Sequence, residues 1–141
     1  MRKEASVVLT GLAMLGVALG GFALGIRQAT GGQSPTPDII DIDPATLDET
    51  RWETIEDVPY WRVVEGKGAR ASDATSFESA DKRAEAGLSR YEKVTLELRD
   101  WPIDEFMLIL SGEVEITDSS GRSRVYGPGD AFVMPKGFQG T

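Results

Sequence analysis

The 141-residue chain contains no histidine and no cysteine. Without cysteine there is no disulfide framework, no thiolate nucleophile and no zinc–thiolate site. Without histidine, the commonest metal ligand and the commonest general base are both missing. Cations are also scarce: 15 Lys and Arg stand against 23 Asp and Glu, a net charge of −8. An acidic chain with no cluster of Lys and Arg interleaved with aromatics is repelled by phosphate, so nucleic acid is excluded as a partner.

What the sequence does have begins with one long apolar run. VVLTGLAMLGVALGGFALGI, from Val7 to Ile26, is twenty residues without a charge, preceded by Arg2 and Lys3 and followed by Arg27. As a helix rising about 1.5 Å per residue it matches the roughly 30 Å hydrocarbon core of a bilayer. Its length favours an uncleaved anchor, whereas the small-x-small pattern Ala23-Leu24-Gly25 fits a signal-peptide cleavage site. Residues 1–27 are therefore read as a transmembrane anchor or a signal peptide. The basic residues ahead of the segment put the remainder of the chain on the periplasmic or extracellular side, either tethered by one pass or secreted after cleavage. Gly16 with Gly20, and Gly21 with Gly25, form small-xxx-small pairs of the kind that lets helices approach closely.

Residues 28–58 read as an acidic flexible linker. QATGGQSPTPD has no hydrophobic period, and the stretch after it holds Asp38, Asp41, Asp43, Asp48, Glu49, Glu53, Glu56 and Asp57 against Arg51 alone. Asp43 before Pro44 is placed to cap a short helix reaching Glu49.

Residues 59–141 read as the folded domain, which is all-β. Tyr60, Trp61, Val63 and Val64 form a strand-like cluster ended by Gly66 and Gly68. Residues 69 to 87 are small and charged, and their composition suggests a loop with at most a helical turn. Order resumes at Arg90: Val94, Leu96 and Leu98 alternate with Lys93, Thr95, Glu97 and Arg99, the period of a strand with one buried face. FMLIL, EVEIT, RSRVY and AFVMP come next at regular intervals, separated by turns at Gly112, Gly121, Gly127 and Gly129. Even spacing of short strands with Gly-rich turns implies an antiparallel sandwich or barrel.

The spacing from Glu105 through six residues to Gly112, and from Gly129 through five residues to Pro135-Lys136-Gly137, resembles the two motifs of the cupin superfamily. WPIDEFMLILSGEVEITDSSG and YGPGDAFVMPKGFQGT are similar to the single-domain branch grouped with (S)-ureidoglycine aminohydrolase and the ethanolamine-utilisation cupin. The likeness covers roughly residues 60 to 141 and is strong from 101 to 141. It implies a jelly-roll barrel that would continue with further strands after Thr141, making this stretch a truncated barrel.

In that family a metal is held by two histidines and a glutamate of the first motif and a histidine of the second. The corresponding histidine positions fall within Leu98 to Trp101 and at Gly140, so Glu105 alone remains of four ligands. One carboxylate does not hold a catalytic transition metal, and no cofactor is expected.

Candidate wall residues of a ligand pocket are Glu97, Arg99, Trp101, Asp104 and Glu105, with Lys136 near the mouth. Adjacent residues of a strand point to opposite faces, so only one of Asp104 and Glu105 can face the interior, and the resemblance favours Glu105. An equal alternative has Glu105 serving the structure, paired with Arg99 or Lys136. Trp101 fits a core aromatic better than a ligand platform. The expected function is binding of a small polar metabolite outside the cytoplasm, with aminohydrolase-like activity as an open question. The alternative is a membrane-tethered module that binds or homodimerises without chemistry.

Overall fold

The computed structural model describes residues 5–12 and 38–141. Among the described residues ten strands and one short helix run in this order: β1 Ala5–Leu12, the 3-10 helix Pro44–Glu49, β2 Glu53–Thr54, β3 Trp61–Glu65, β4 Arg70–Glu78 and β5 Glu85–Tyr91. Then come β6 Thr95–Leu98, β7 Asp104–Ser111, β8 Val114–Thr117, β9 Ser123–Tyr126 and β10 Ala131–Met134. Six strands form one antiparallel sheet in the order β10-β7-β1-β5-β4-β2, while β3 pairs with β6 and β8 with β9. The result is the all-β architecture that the strand and turn pattern implies.

The two small ribbons are joined by the last residues of the chain. Leu98 and Gly140 exchange backbone hydrogen bonds of 2.7 and 3.2 Å, and Thr117 and Thr141 exchange bonds of 2.8 and 2.9 Å. These bridges connect the ends of β6 and β8, so a second layer stands over the large sheet. Between the layers Ile55, Val63 and Ala69 form a buried cluster against Ala71, Tyr91, Val94 and Leu96. Further round the same sheet, Ile109 of β7 is 1% exposed and Met134 of β10 is buried.

All four strands expected after Glu105 are present, with positive φ at Gly112, Gly121 and Gly129. Gly127 does not take that conformation; its turn is closed by its N–H, which donates to Asp130 Oδ2 at 2.9 Å. Asp43 caps the short helix as expected, accepting from the Ala45 N–H at 2.9 Å with Pro44 at the first helical position.

Two sequence expectations require correction. Residues 69–87 are not a loop: they hold all of β4 and the start of β5, which pair from Ala71 opposite Tyr91 to Glu78 opposite Glu85. Hydrophobic contrast is low there because both faces carry small or polar side chains. Polar cross-strand pairs hold the hairpin instead: Ser89 Oγ donates to Asp73 at 2.5 Å and Thr75 Oγ1 to Glu85 at 2.7 Å. The tight connection is made by Ser79 Oγ, which accepts from the N–H groups of Arg83 and Ala84, with Lys82 at φ 56°.

The acidic stretch 28–58 is not a linker over its second half. Leu47 of the short helix is buried, Arg90 donates to the Leu47 carbonyl at 2.5 Å, Trp52 lies under the Arg90 guanidinium, and Ile55 enters the core. Burying these apolar groups outweighs the cost of ordering a charged surface strip, so packing of the domain starts at Pro44 rather than at residue 59.

The apolar run is described only at its start. Over Ala5–Leu12 the backbone is a strand, paired antiparallel with β5 on one side and β7 on the other. Those two strands do not pair with each other, and each would otherwise present a row of free N–H and C=O groups. A β-branched, uncharged segment satisfies both rows. Residues 13–26, the remainder of the expected spanning helix, lie outside the described residues; among the described residues no helix is long and apolar enough to cross a membrane.

Gly140 is the close point of the second layer. A Cβ there would stand 2.1 Å from the Thr117 carbonyl oxygen. Gly140→Ala should therefore part β6 from β8 and lower stability by about 1–3 kcal/mol, seen as a lower urea midpoint of the full chain. An unchanged midpoint would contradict this bridge.

Candidate functional site

Alternation along the strands decides which side chains point between the layers. On β7, Glu105 and Ile109 are buried while Asp104 and Phe106 on the opposite face are exposed. Of the adjacent carboxylates, then, Glu105 is the inward one. Asp104 instead accepts from the Lys136 backbone N–H at 2.9 Å and secures the turn after β10. Met134 of β10 is the cross-strand partner of Glu105 and shares its face.

Glu105 is 2% exposed, and its Oε2 has no hydrogen-bond partner. Burial pushes its carboxyl up from 4.5 to about 7. The Trp101 indole opposes that shift weakly as a nearby donor, yet its buried Nε1 makes no hydrogen bond of proper geometry. A donor and an acceptor thus face the interior side by side, both unsatisfied, where each costs roughly 1–3 kcal/mol if nothing binds it. Trp101 itself is fixed by its backbone, which bonds to Phe138 and Gly137, and by stacking on Trp61 at 6.0 Å between ring centroids.

Two inward polar residues, Tyr91 and Ser89, come from the hairpin that composition suggested was a loop, and Asp73 shares their face but is exposed. Tyr91 shares its face with Ser89 and, across the ladder, with Ala71 and Asp73. Burial raises the Tyr91 hydroxyl well above its usual range, and the charges of Asp73 and Glu105 add to that, so the phenol stays a neutral donor. Asp73 is also raised, first by desolvation and then by Glu53 and Glu85, against the lowering bond from Ser89. Sequence reasoning missed Tyr91, Ser89 and Asp73. The period-two series Glu85, Gly87, Ser89, Tyr91 was the available signal.

The remaining expected wall residues are elsewhere. Glu97 and Arg99 pair with each other at 2.8 Å, and Glu97 with Arg62 at 2.6 Å, in an exposed cluster. Arg62 and Glu97 are cross-strand partners on the face opposite the buried Val63 and Leu98. Lys136 is exposed. Neither Arg99 nor Lys136 forms an ion pair with Glu105, so the structural pairing considered for it is not made.

A separate cleft of about 470 Å³ opens between β8, β9 and β10, and Glu105 is not among the residues that line it. Met134, Phe132, Arg122, Arg124 and Asp118 are among its lining residues.

Residues 95–141 match the family described as the EutQ-like cupin domain. The match covers a third of the chain and supports a cupin-type β fold, with the small-molecule binding or enzymatic role such a domain suggests. No curated protein and no solved structure matches the chain. The positions that the cupin resemblance assigns to metal ligands do converge, since Leu98 and Gly140 are backbone partners. They bring no donor side chains with them. Among the described residues no three acidic groups are placed to hold a metal, so the residues present do not fit the metal of the superfamily.

Raised ionisation of Glu105 has a definite sign for stability. Between 4.5 and about 7 the folded state holds a proton that the unfolded state has released, so stability falls as pH rises through that interval and the penalty is complete above it. Glu105→Gln, which cannot ionise, should be more stable than the parent above pH 7, by up to about 3 kcal/mol, with the difference shrinking towards pH 4.5. Denaturant titrations at both ends of the range check this, and a difference independent of pH would contradict it.

Proposed function

We propose that the domain binds a small polar molecule between its two layers, with Glu105 as the anchor. The observation that carries this reading is the unsatisfied pair of buried groups, the Glu105 carboxyl and the Trp101 indole N–H. A ligand that donates an amine or amide N–H to the carboxyl and offers an acceptor to the indole would satisfy both. Tyr91 adds a neutral hydroxyl nearby. A carboxyl that ionises near 7 is also poised to exchange a proton at neutral pH, which is the property an aminohydrolase-like reaction on an amine or amide would use. The ureidoglycine-aminohydrolase side of the resemblance agrees with that chemistry. Binding without turnover is the other form of the same reading.

Glycinamide, carrying both an amine and an amide, is a suitable probe. Calorimetry with the full chain should detect its binding, and Glu105→Gln should weaken it by about 10- to 100-fold, the range expected for one charge-assisted hydrogen bond. Ammonia release would mark an enzyme; binding without release would mark a binding module. No heat with the parent protein, or equal affinity in Glu105→Gln, would overturn the role of Glu105.

A further inference from the structure

The cleft between β8, β9 and β10 takes no part in the site around Glu105. Ile116 and Tyr126 line it from one layer, Phe132 and Met134 from the other, and Tyr126 and Phe132 meet there with ring centroids 4.3 Å apart. Arg122 at its wall is held by Asp118 at 2.8 Å. Arg124 is not so held: its guanidinium stands 5.8 Å from the Tyr126 ring centroid, and among the described residues it has no carboxylate partner. Both strands that border the cleft are also edges among the described residues, since β10 pairs with β7 alone and β9 with β8 alone. An edge strand offers backbone N–H and C=O groups that another extended segment can take up.

Ahead of the short helix the chain carries a segment of complementary character, Asp38-Ile39-Ile40-Asp41. It belongs to no helix or strand, no backbone hydrogen bond joins it to the rest of the described domain, and the Ile39 N–H turns to the Asp38 carboxylate at 2.8 Å. Ile39 is 88% exposed and Ile40 52%, and neither Asp38 nor Asp41 has a cation partner among the described residues. In an extended segment Ile39 and Asp41 point to the same side. One aliphatic side chain and one carboxylate, two residues apart, thus match a cleft with an aromatic wall and an unpaired arginine.

The segment is badly placed to fill the cleft of its own chain. It leads into the short helix, which is fixed by Arg90 on the Leu47 carbonyl and by Thr50 on Ser72. Arg90 and Ser72 alternate with Ser89 and Tyr91, so the helix stands on the outward face of β4 and β5. The cleft lies on the other face, at β10, which is three strand spacings or about 14 Å from β5.

We propose that Asp38–Asp41 of one copy docks in the β8–β10 cleft of a second copy, with Ile39 against Tyr126 and Phe132 and Asp41 paired with Arg124. Exchanged reciprocally, the same contact closes a two-fold dimer. This surface is separate from Glu105 and does not depend on its role.

Sedimentation equilibrium of the full chain in a neutral detergent, which keeps the apolar run from associating, tests the exchange. The parent should be a dimer. Ile39→Ser should weaken the dimer at least about tenfold, as loss of one buried aliphatic side chain implies, and Arg124→Glu by a similar factor. Both positions are exposed in the single chain, so the fold should stand in each variant. Asp41→Arg combined with Arg124→Glu should restore the dimer, which a merely structural role of either residue would not do. A monomeric parent would overturn the proposal and leave the cleft to a different occupant. A dimer that neither single substitution weakens would overturn it by putting association on another surface. Loss of the dimer in Arg124→Glu without recovery in the reversed pair would overturn the assigned docking geometry.

Discussion

The alignment of β10 on β7, with Met134 opposite Glu105, fixes what the interior of this domain can be. Because strand side chains alternate, that one register sends Glu105 and Ile109 between the layers and leaves Phe106 and Val133 on the outside. A slip by one residue would exchange the two sets, bury Phe106 and expose the carboxylate. The large sheet carries the same alternation through β5 and β4, where it puts Tyr91, Ser89 and Asp73 on the face of Glu105. A buried acid with a free oxygen is thus a consequence of how the sheet is registered, held in place by the hydrophobic contacts around it. Its desolvation is tolerated because the surrounding rows bury enough apolar surface to offset a few kcal/mol.

The same arrangement bears on the metal that the cupin resemblance implies. Leu98 and Gly140 meet through their backbones where the superfamily's ligands would converge, and Gly140 has no room for any side chain against the Thr117 carbonyl. A histidine could not be accommodated there without moving the bridge that joins β6 to β8. What remains for chemistry is a carboxyl of raised pKa, an indole N–H and a neutral phenol. The proposed role of such a set is to bind a ligand and to exchange a proton with it.

Much of the fold was legible where hydrophobic contrast was high. Val94, Leu96 and Leu98 announced β6, and the four glycine-punctuated segments after Glu105 announced β7 to β10, because each combines a period of two with turn residues whose φ values few other residues adopt. The β4–β5 hairpin was illegible for the opposite reason: Ser72, Ala74 and Ser89 offer no contrast, and the pairing is held by hydroxyl–carboxylate bonds that composition does not reveal. At the site, Glu105 could be picked out by spacing and by the rule that Asp104 must face the other way. Arg99 and Glu97 were plausible wall residues only while the face of β6 was undecided; their pairing with Arg62 resolves it outward. Val7 to Leu12 shows a different limit, since an uncharged β-branched segment satisfies the composition of a spanning helix and of a central strand alike.

The proposed site depends on a single interior carboxyl, buried without a cation, whose ionisation burial pushes up to about 7. Carbon-detected NMR of the full chain with labelled glutamate side-chain carboxyls, compared with Glu105→Gln to assign the resonance, measures that ionisation directly. One glutamate should titrate with a midpoint near 7 and be absent from the variant. A Glu105 midpoint in the ordinary range near 4.5 would contradict it.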